Sequence, residues 1–146
     1  EATQSDAKKV GIKINLKNVD YNVLDGIGVR GEYDLLISNI LTEQAGDPEV
    51  FVNQYWKTNV DGSNPQNGSG YSNPEYDALS DQLASEFDPA KRRDIIIKME
   101  KIVQDDAATL IFGYPQTNMV SNKSVQNANI YPCDYYWVTK DITPAK

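Results

Sequence analysis

The sequence predicts an α/β fold, a small mixed sheet flanked by helices. Three observations carry that reading. Ile12-Lys13-Ile14-Asn15-Leu16 alternates apolar and polar, the period of a strand with one buried face. Tyr33-Asp34-Leu35-Leu36-Ile37-Ser38 is a short, nearly continuous apolar run, as in a strand covered on both faces. Residues 72 to 103 then hold two consecutive helix starts, each followed by an apolar stripe at helical spacing.

The elements follow in order. Ala7-Lys8-Lys9-Val10 reads as the end of a helix, with Gly11 as its stop. An opening in mid-helix is what a piece of a longer protein would show. After the first strand, Val19 restores an apolar residue. Tyr21, Leu24, Ile27 and Val29 are spaced for a helix ending at Gly31. Gly26 and Gly28 weaken it by about 1 kcal/mol each. With a strand on either side this is a βαβ unit, whose crossover is right-handed. A polar loop, Asn39 to Gly46, leads to a helix opening at Asp47-Pro48. Its Val50, Phe51, Tyr55 and Trp56 form an aromatic face suited to core rather than to ligand. Asp61 to Gly70 contains no apolar residue and reads as an exposed loop.

The helical pair is written redundantly. Ser72 and Asn73 both stand where a cap is needed, Pro74 suits the first turn, and Ser72-x-x-Glu75 has capping-box spacing. Tyr76, Leu79, Leu83 and Phe87 line one face. Asp88 caps the second helix, Pro89 starts it, and Ile95, Met99, Ile102 and Val103 form its stripe. Asp105-Asp106 sits at the negative end of that helix and should terminate it. Thr109 to Tyr114 reads as a strand, Thr117 to Ser121 as its partner across Pro115, and Tyr131 to Val138 as a last aromatic strand before a tail. Open sheets of this kind bind ligands at the carboxyl ends of their strands. Two such edges are visible, Val19 to Asn22 and Asn39 to Gly46.

Composition narrows the chemistry. The 146 residues suffice for one domain with a real core. A net charge of -7 argues against nucleic-acid binding, which needs clustered Lys and Arg. Lys91-Arg92-Arg93 is the only basic run and reads as a solvated helix face. Histidine is absent, which removes the commonest general base and the commonest metal ligand. Cys133 is the only cysteine, without an internal disulfide partner, and reads as a small packed residue. No apolar run approaches the roughly 20 residues that span a bilayer, and no leader precedes the first helix. Neither a cofactor nor a metal is expected.

One set of motifs is more specific than the physics requires. It comprises Lys8-Lys9-Val10-Gly11-Ile12-Lys13-Ile14, Gly31-Glu32-Tyr33-Asp34, and Gly46-Asp47-Pro48 with Phe51. Gly70 to Leu79, Asp88-Pro89 with Lys91-Arg92, and Asp106-Ala107 before Leu110-Ile111 complete it. In this order, over residues 6 to 130, the chain resembles the family 5 extracellular solute-binding proteins, which capture peptides or nickel complexes for ABC importers. The resemblance implies a single lobe of a type II periplasmic-binding-protein fold, excised from a two-lobed receptor. Residues 1–130 would form the ligand-binding lobe, and 131–146 a C-terminal strand and tail leading toward the missing lobe. It further implies an extracytoplasmic protein, membrane-anchored at full length, with an ABC permease and the missing N-terminal lobe as partners and no enzymatic activity.

The resemblance also places the ligand-facing edge at Asn39, Leu41, Thr42, Glu43 and Gln44, with Tyr21 on the neighbouring edge. Family members that bind peptide amino termini usually have an aspartate at the position of Gln44. Glutamine hydrogen-bonds but cannot neutralise a cation, so Glu43 would have to supply the charge. A tryptophan often found in that loop is replaced by Leu41. Asp47 is better explained as a helix cap, and Tyr71 and Tyr76 as packing. Two other readings compete. One is a stand-alone protein-interaction module using Asp61–Gly70 and nearby aromatics. The weaker is a hydrolase built on paired carboxylates such as Glu32/Asp34 or Asp105/Asp106.

Overall fold

A computed structural model describes residues 1–39, 47–116, 118–130 and 138–145. Among the described residues five helices run in order: α1 (Ala2–Lys9), α2 (Tyr21–Arg30), α3 (Pro48–Trp56), α4 (Pro74–Ser85) and α5 (Pro89–Asp105). A short antiparallel ladder, β1 (Val125–Gln126) with β2 (Thr143–Pro144), follows them.

The core lies where α3, α4 and α5 meet. Val52 from α3, Tyr76 and Leu83 from α4, and Ile95, Met99 and Val103 from α5 are buried together. Phe51, Trp56, Leu79 and Ile102 pack around them, so both predicted stripes point inward. Burying one large apolar side chain contributes about 1.5–3 kcal/mol, and this cluster supplies most of what holds the three helices. Tyr76 belongs because its hydroxyl, its one polar side-chain atom, donates to the Val52 carbonyl at 2.7 Å. Ser80 solves the same problem by donating to Asn53 Oδ1 at 2.8 Å. Phe87 departs from expectation. It falls after α4 has ended, in the corner, and is 85% exposed.

Each helix of the core starts on a side-chain cap followed by proline. Asp47 accepts from the Glu49 amide, Asn73 from those of Glu75 and Tyr76, and Asp88 from those of Ala90 and Lys91. Between the two candidates for α4, the structure selects Asn73. Ser72 is engaged instead by Thr58, whose hydroxyl donates to it at 3.0 Å.

The loop over 57–72 is not simply an exposed tether. Asn67 is buried and donates to the carbonyls of Lys57 and Tyr71. Asn64 closes the end of α3 by donating to the carbonyls of Asn53 and Lys57. Gly68 then lies against the last turn of α2. A Cβ there would stand 1.6 Å from the Gly28 carbonyl oxygen, so only glycine fits. Gly31 ends α2 in the left-handed conformation, as predicted.

The strands read at 12–19, 33–38 and 109–114 form no ladder among the described residues, nor do 118–121. Among the described residues the sheet is the two-residue antiparallel β1–β2 pair, which with the helices is compatible with one lobe of an α/β fold. The physical reason is that a strand exists only with a neighbour to satisfy its backbone groups. Without one, Ile12, Leu16, Leu35, Ile37, Leu110 and Phe112 are exposed. Most of the strand expected at 131–138, with Cys133, lies outside the described residues.

Candidate functional site

The first turn of α2 is fixed by Asp20, whose carboxylate accepts from the Asn22 amide at 2.9 Å and from its side-chain nitrogen at 2.8 Å. This cap sets Tyr21 as the opening residue of the helix, 66% exposed. One turn on, at i+4, Asp25 shares its face and is also exposed. Among the described residues Asp25 has neither an ion pair nor a hydrogen bond. Tyr55 lies in the last turn of α3. Its phenol is raised above the ordinary tyrosine range by burial, then by the Asp25 carboxylate and by Tyr21. Phe51 and Trp56 back it, with ring centroids 5.6 Å and 6.3 Å from that of Tyr55. Phe51 and Trp56 themselves meet edge-on at 5.0 Å.

Of the residues assigned to the ligand edge, Tyr21 and Asn39 are described. Tyr21 is exposed at the start of α2. Asn39 is exposed, and no hydrogen bond joins the two. Leu41, Thr42, Glu43 and Gln44 lie outside the described residues. Asp25, which the sequence reading did not single out, shares the exposed face of α2 with Tyr21. The signal available for Asp25 was its i, i+4 relation to Tyr21.

Two other clusters are structural. Arg92 is no solvated side chain. It donates to Asp47 Oδ2 at 2.7 Å, to Glu49 Oε2 at 2.8 Å, and to the carbonyls of Leu83 and Glu86. It therefore ties the start of α3 to the end of α4. The Glu49 amide, and then Arg92, hold the Asp47 carboxyl below its ordinary range. Beside this knot an open groove of about 690 Å³ is lined by Phe87, Ala84, Ile96, Ile97 and Arg93 among others. At the other end of α5, Asp106 accepts from the Tyr71 hydroxyl at 2.6 Å and from the Asn73 side chain at 2.8 Å. Those two donors lower its pKa, while burial and Asp106 push the Tyr71 phenol up to about 12.

Of the acidic pairs singled out for hydrolysis, Glu32, Asp105 and Asp106 are otherwise occupied. Glu32 is held by Arg30 at 2.7 Å, Asp105 by Lys101 at 2.7 Å, and Asp106 by Tyr71 and Asn73. Among the described residues no group of three or more His, Cys, Asp or Glu is arranged to hold a metal ion. No described helix is long and apolar enough to cross a membrane.

No family model matches the chain. The chain is 32% identical, over 126 residues, to the probable D,D-dipeptide-binding periplasmic protein DdpA of Escherichia coli, covering 86% of this chain and 24% of that protein. It is 29% identical to the nickel-binding protein NikA of Staphylococcus aureus, over 94% of this chain and 27% of that one. Among solved structures it is similar to the ABC transporter substrate-binding protein CtaP of Listeria monocytogenes. That likeness has a TM-score of 0.60 at 27% identity, over 73% of this chain and 21% of the other. The chain thus spans about a quarter of the length of the curated relatives it matches.

Proposed function

Since this chain belongs to the substrate-binding proteins of ABC transporters, as part of one α/β lobe of their fold, we propose that it serves solute capture for an importer. The family's members are binding proteins, not enzymes. The solute is a peptide or a related small molecule, a chelated nickel ion among the candidates. Capture takes place outside the cytoplasm, in a cleft whose other wall is supplied by the rest of a longer polypeptide. An ABC permease then receives the loaded protein. In this reading Tyr21 and Asn39, with Leu41, Thr42, Glu43 and Gln44, form this lobe's share of the cleft edge.

The observation that carries the proposal is the match to both a dipeptide-binding relative and a substrate-binding fold across most of the chain. The exposed aromatic and polar side chains at the start of α2 support it. They are the type of surface that a small solute needs on one wall of a cleft. A solute held between two walls shifts the open–closed equilibrium only through contacts that both walls make. The 146-residue chain alone is therefore expected to bind peptides weakly. Calorimetry on this chain checks that, and a micromolar dissociation constant for a peptide would overturn the half-cleft assignment. Native mass spectrometry of the full-length protein, purified from its host, is expected to show one bound small solute.

A further inference from the structure

We propose that Asn67–Gly68 is a deamidation site that the fold keeps closed, and that its conversion releases α2 from the loop between α3 and α4. The proposal goes beyond solute capture and holds whatever solute the protein takes. Asn67–Gly68 is the one Asn-Gly pair in the sequence. Such a pair is chemically labile because glycine, without a Cβ, leaves its backbone nitrogen unhindered. That nitrogen attacks Cγ of the asparagine. An N–Cγ bond forms, the Cγ–Nδ2 bond breaks, and the Gly68 amide proton leaves with the departing ammonia. Water then opens the cyclic imide at either carbonyl, giving aspartate or isoaspartate. The net change consumes one water and releases one ammonia.

Attack requires the Asn67 carboxamide to turn toward the Gly68 nitrogen, and the fold opposes this on both residues. Asn67 is buried. Its Nδ2 donates to the Lys57 carbonyl at 2.9 Å and to the Tyr71 carbonyl at 2.8 Å, while Oδ1 accepts from the Ser69 hydroxyl at 2.8 Å. All three bonds must break before the group can rotate. Gly68 is held as well. A Cβ on Gly68 would collide with the Gly28 carbonyl, and one on Gly31 with the Gly68 carbonyl, so the end of α2 presses on Gly68 from two sides. Reaction therefore waits until the loop lifts. Once converted, the loop cannot close again. Aspartate is ionised at neutral pH and turns acceptor oxygens toward two carbonyls that need donors. Isoaspartate adds a methylene to the main chain beside Gly68, where even a Cβ has no room. The backbone of α2 approaches none of α3, α4 or α5, so Gly68 is where the loop of the three-helix core meets it.

The test ages the full-length protein at mildly alkaline pH, once folded and once in urea. Peptide mapping by mass spectrometry follows the one-dalton gain at Asn67. The folded protein is expected to convert at least about tenfold more slowly, because the reaction tracks the population of the open loop. Ser69→Ala removes one of the three bonds and should speed conversion in the folded protein by about twofold or more, with the rate in urea unchanged. Converted molecules, separated by ion exchange, and the Asn67→Asp variant are then compared with the parent by hydrogen exchange. The amides of residues 67 and 70, which donate to the carbonyls of Asn64 and Asn67, should exchange at least about tenfold faster in both, with those of α5 unchanged. Equal conversion rates in the folded and urea samples overturn the closed site. Parent-like exchange after conversion overturns the release. So does exchange raised equally throughout α5, as in a chain that no longer folds. The comparison of rates needs no substitution, so it stands even if Asn67→Asp fails to fold.

Discussion

Tyr76 is the largest fully buried side chain, and a single hydroxyl reconciles it with the core. Tyr76→Phe removes the donor and leaves the Val52 carbonyl with its bond inside α3 alone. The expected cost is about 0.5–1.5 kcal/mol, read as a lower urea midpoint with unchanged slope. Tyr71 and Asp106 make a second prediction at this scale, with a limit on each side of neutrality. The Asp106 and Asp47 carboxyls are depressed in the fold, so their stabilisation is complete above the ordinary carboxylate range, about pH 4. It is lost as pH falls through their lowered folded values. The Tyr71 phenol is raised to about 12, so its contribution is complete below its ordinary value and lost as pH climbs toward 12. The urea midpoint should therefore be flat near neutrality and fall at both ends. Asp106→Asn should flatten part of the acid limb, and Tyr71→Phe part of the alkaline one.

At the scale of elements, what distinguishes this chain is how its helix ends are joined. Arg92 carries four bonds to two helix ends, which lysine cannot reproduce because it lacks a planar fork of donors. Arg92→Lys and Arg92→Ala are both expected to lower the melting temperature, and Lys91→Ala, one position away and exposed, is not. Circular dichroism melts check this. Gly68 is the corresponding point between α2 and the loop. Gly68→Ala must push α2 off the loop, at about 1–3 kcal/mol, whereas Gly113→Ala meets nothing within 4 Å and should be near neutral. The caps of these helices were readable because a cap and its proline are local and sequential. Arg92 was not readable, because its partners at Asp47 and Glu49 are more than forty residues away.

Across the whole molecule, apolar side chains fall into two populations. One is sealed between α3, α4 and α5. The other, at Ile12, Leu16, Leu35, Ile37, Leu110 and Phe112, faces outward from segments whose periodicity is that of strands. The relatives are about four times longer, and under the proposed function these segments would be strands laddered with the rest of a longer polypeptide. In hydrogen exchange, the amides of 13–16 and 35–37 should exchange fast in the 146-residue chain and slowly in the full-length protein. Equal rates in both would count against that role.

What the sequence by itself determined was everything that depends on neighbours along the chain. That covers the five helices, their caps and prolines, the Gly31 stop, the two apolar stripes, and the motif order that resembles the solute-binding family. What only the tertiary structure decided was everything that depends on neighbours across space. It chose Asn73 over Ser72, turned Arg92 from a solvated side chain into a clamp, buried Asn67 and put Phe87 outside. It also withheld the strands. Helices satisfy their hydrogen bonds within themselves, so their pattern suffices to form them. A strand's pattern states only a need, and the structure shows whether a partner is there to meet it.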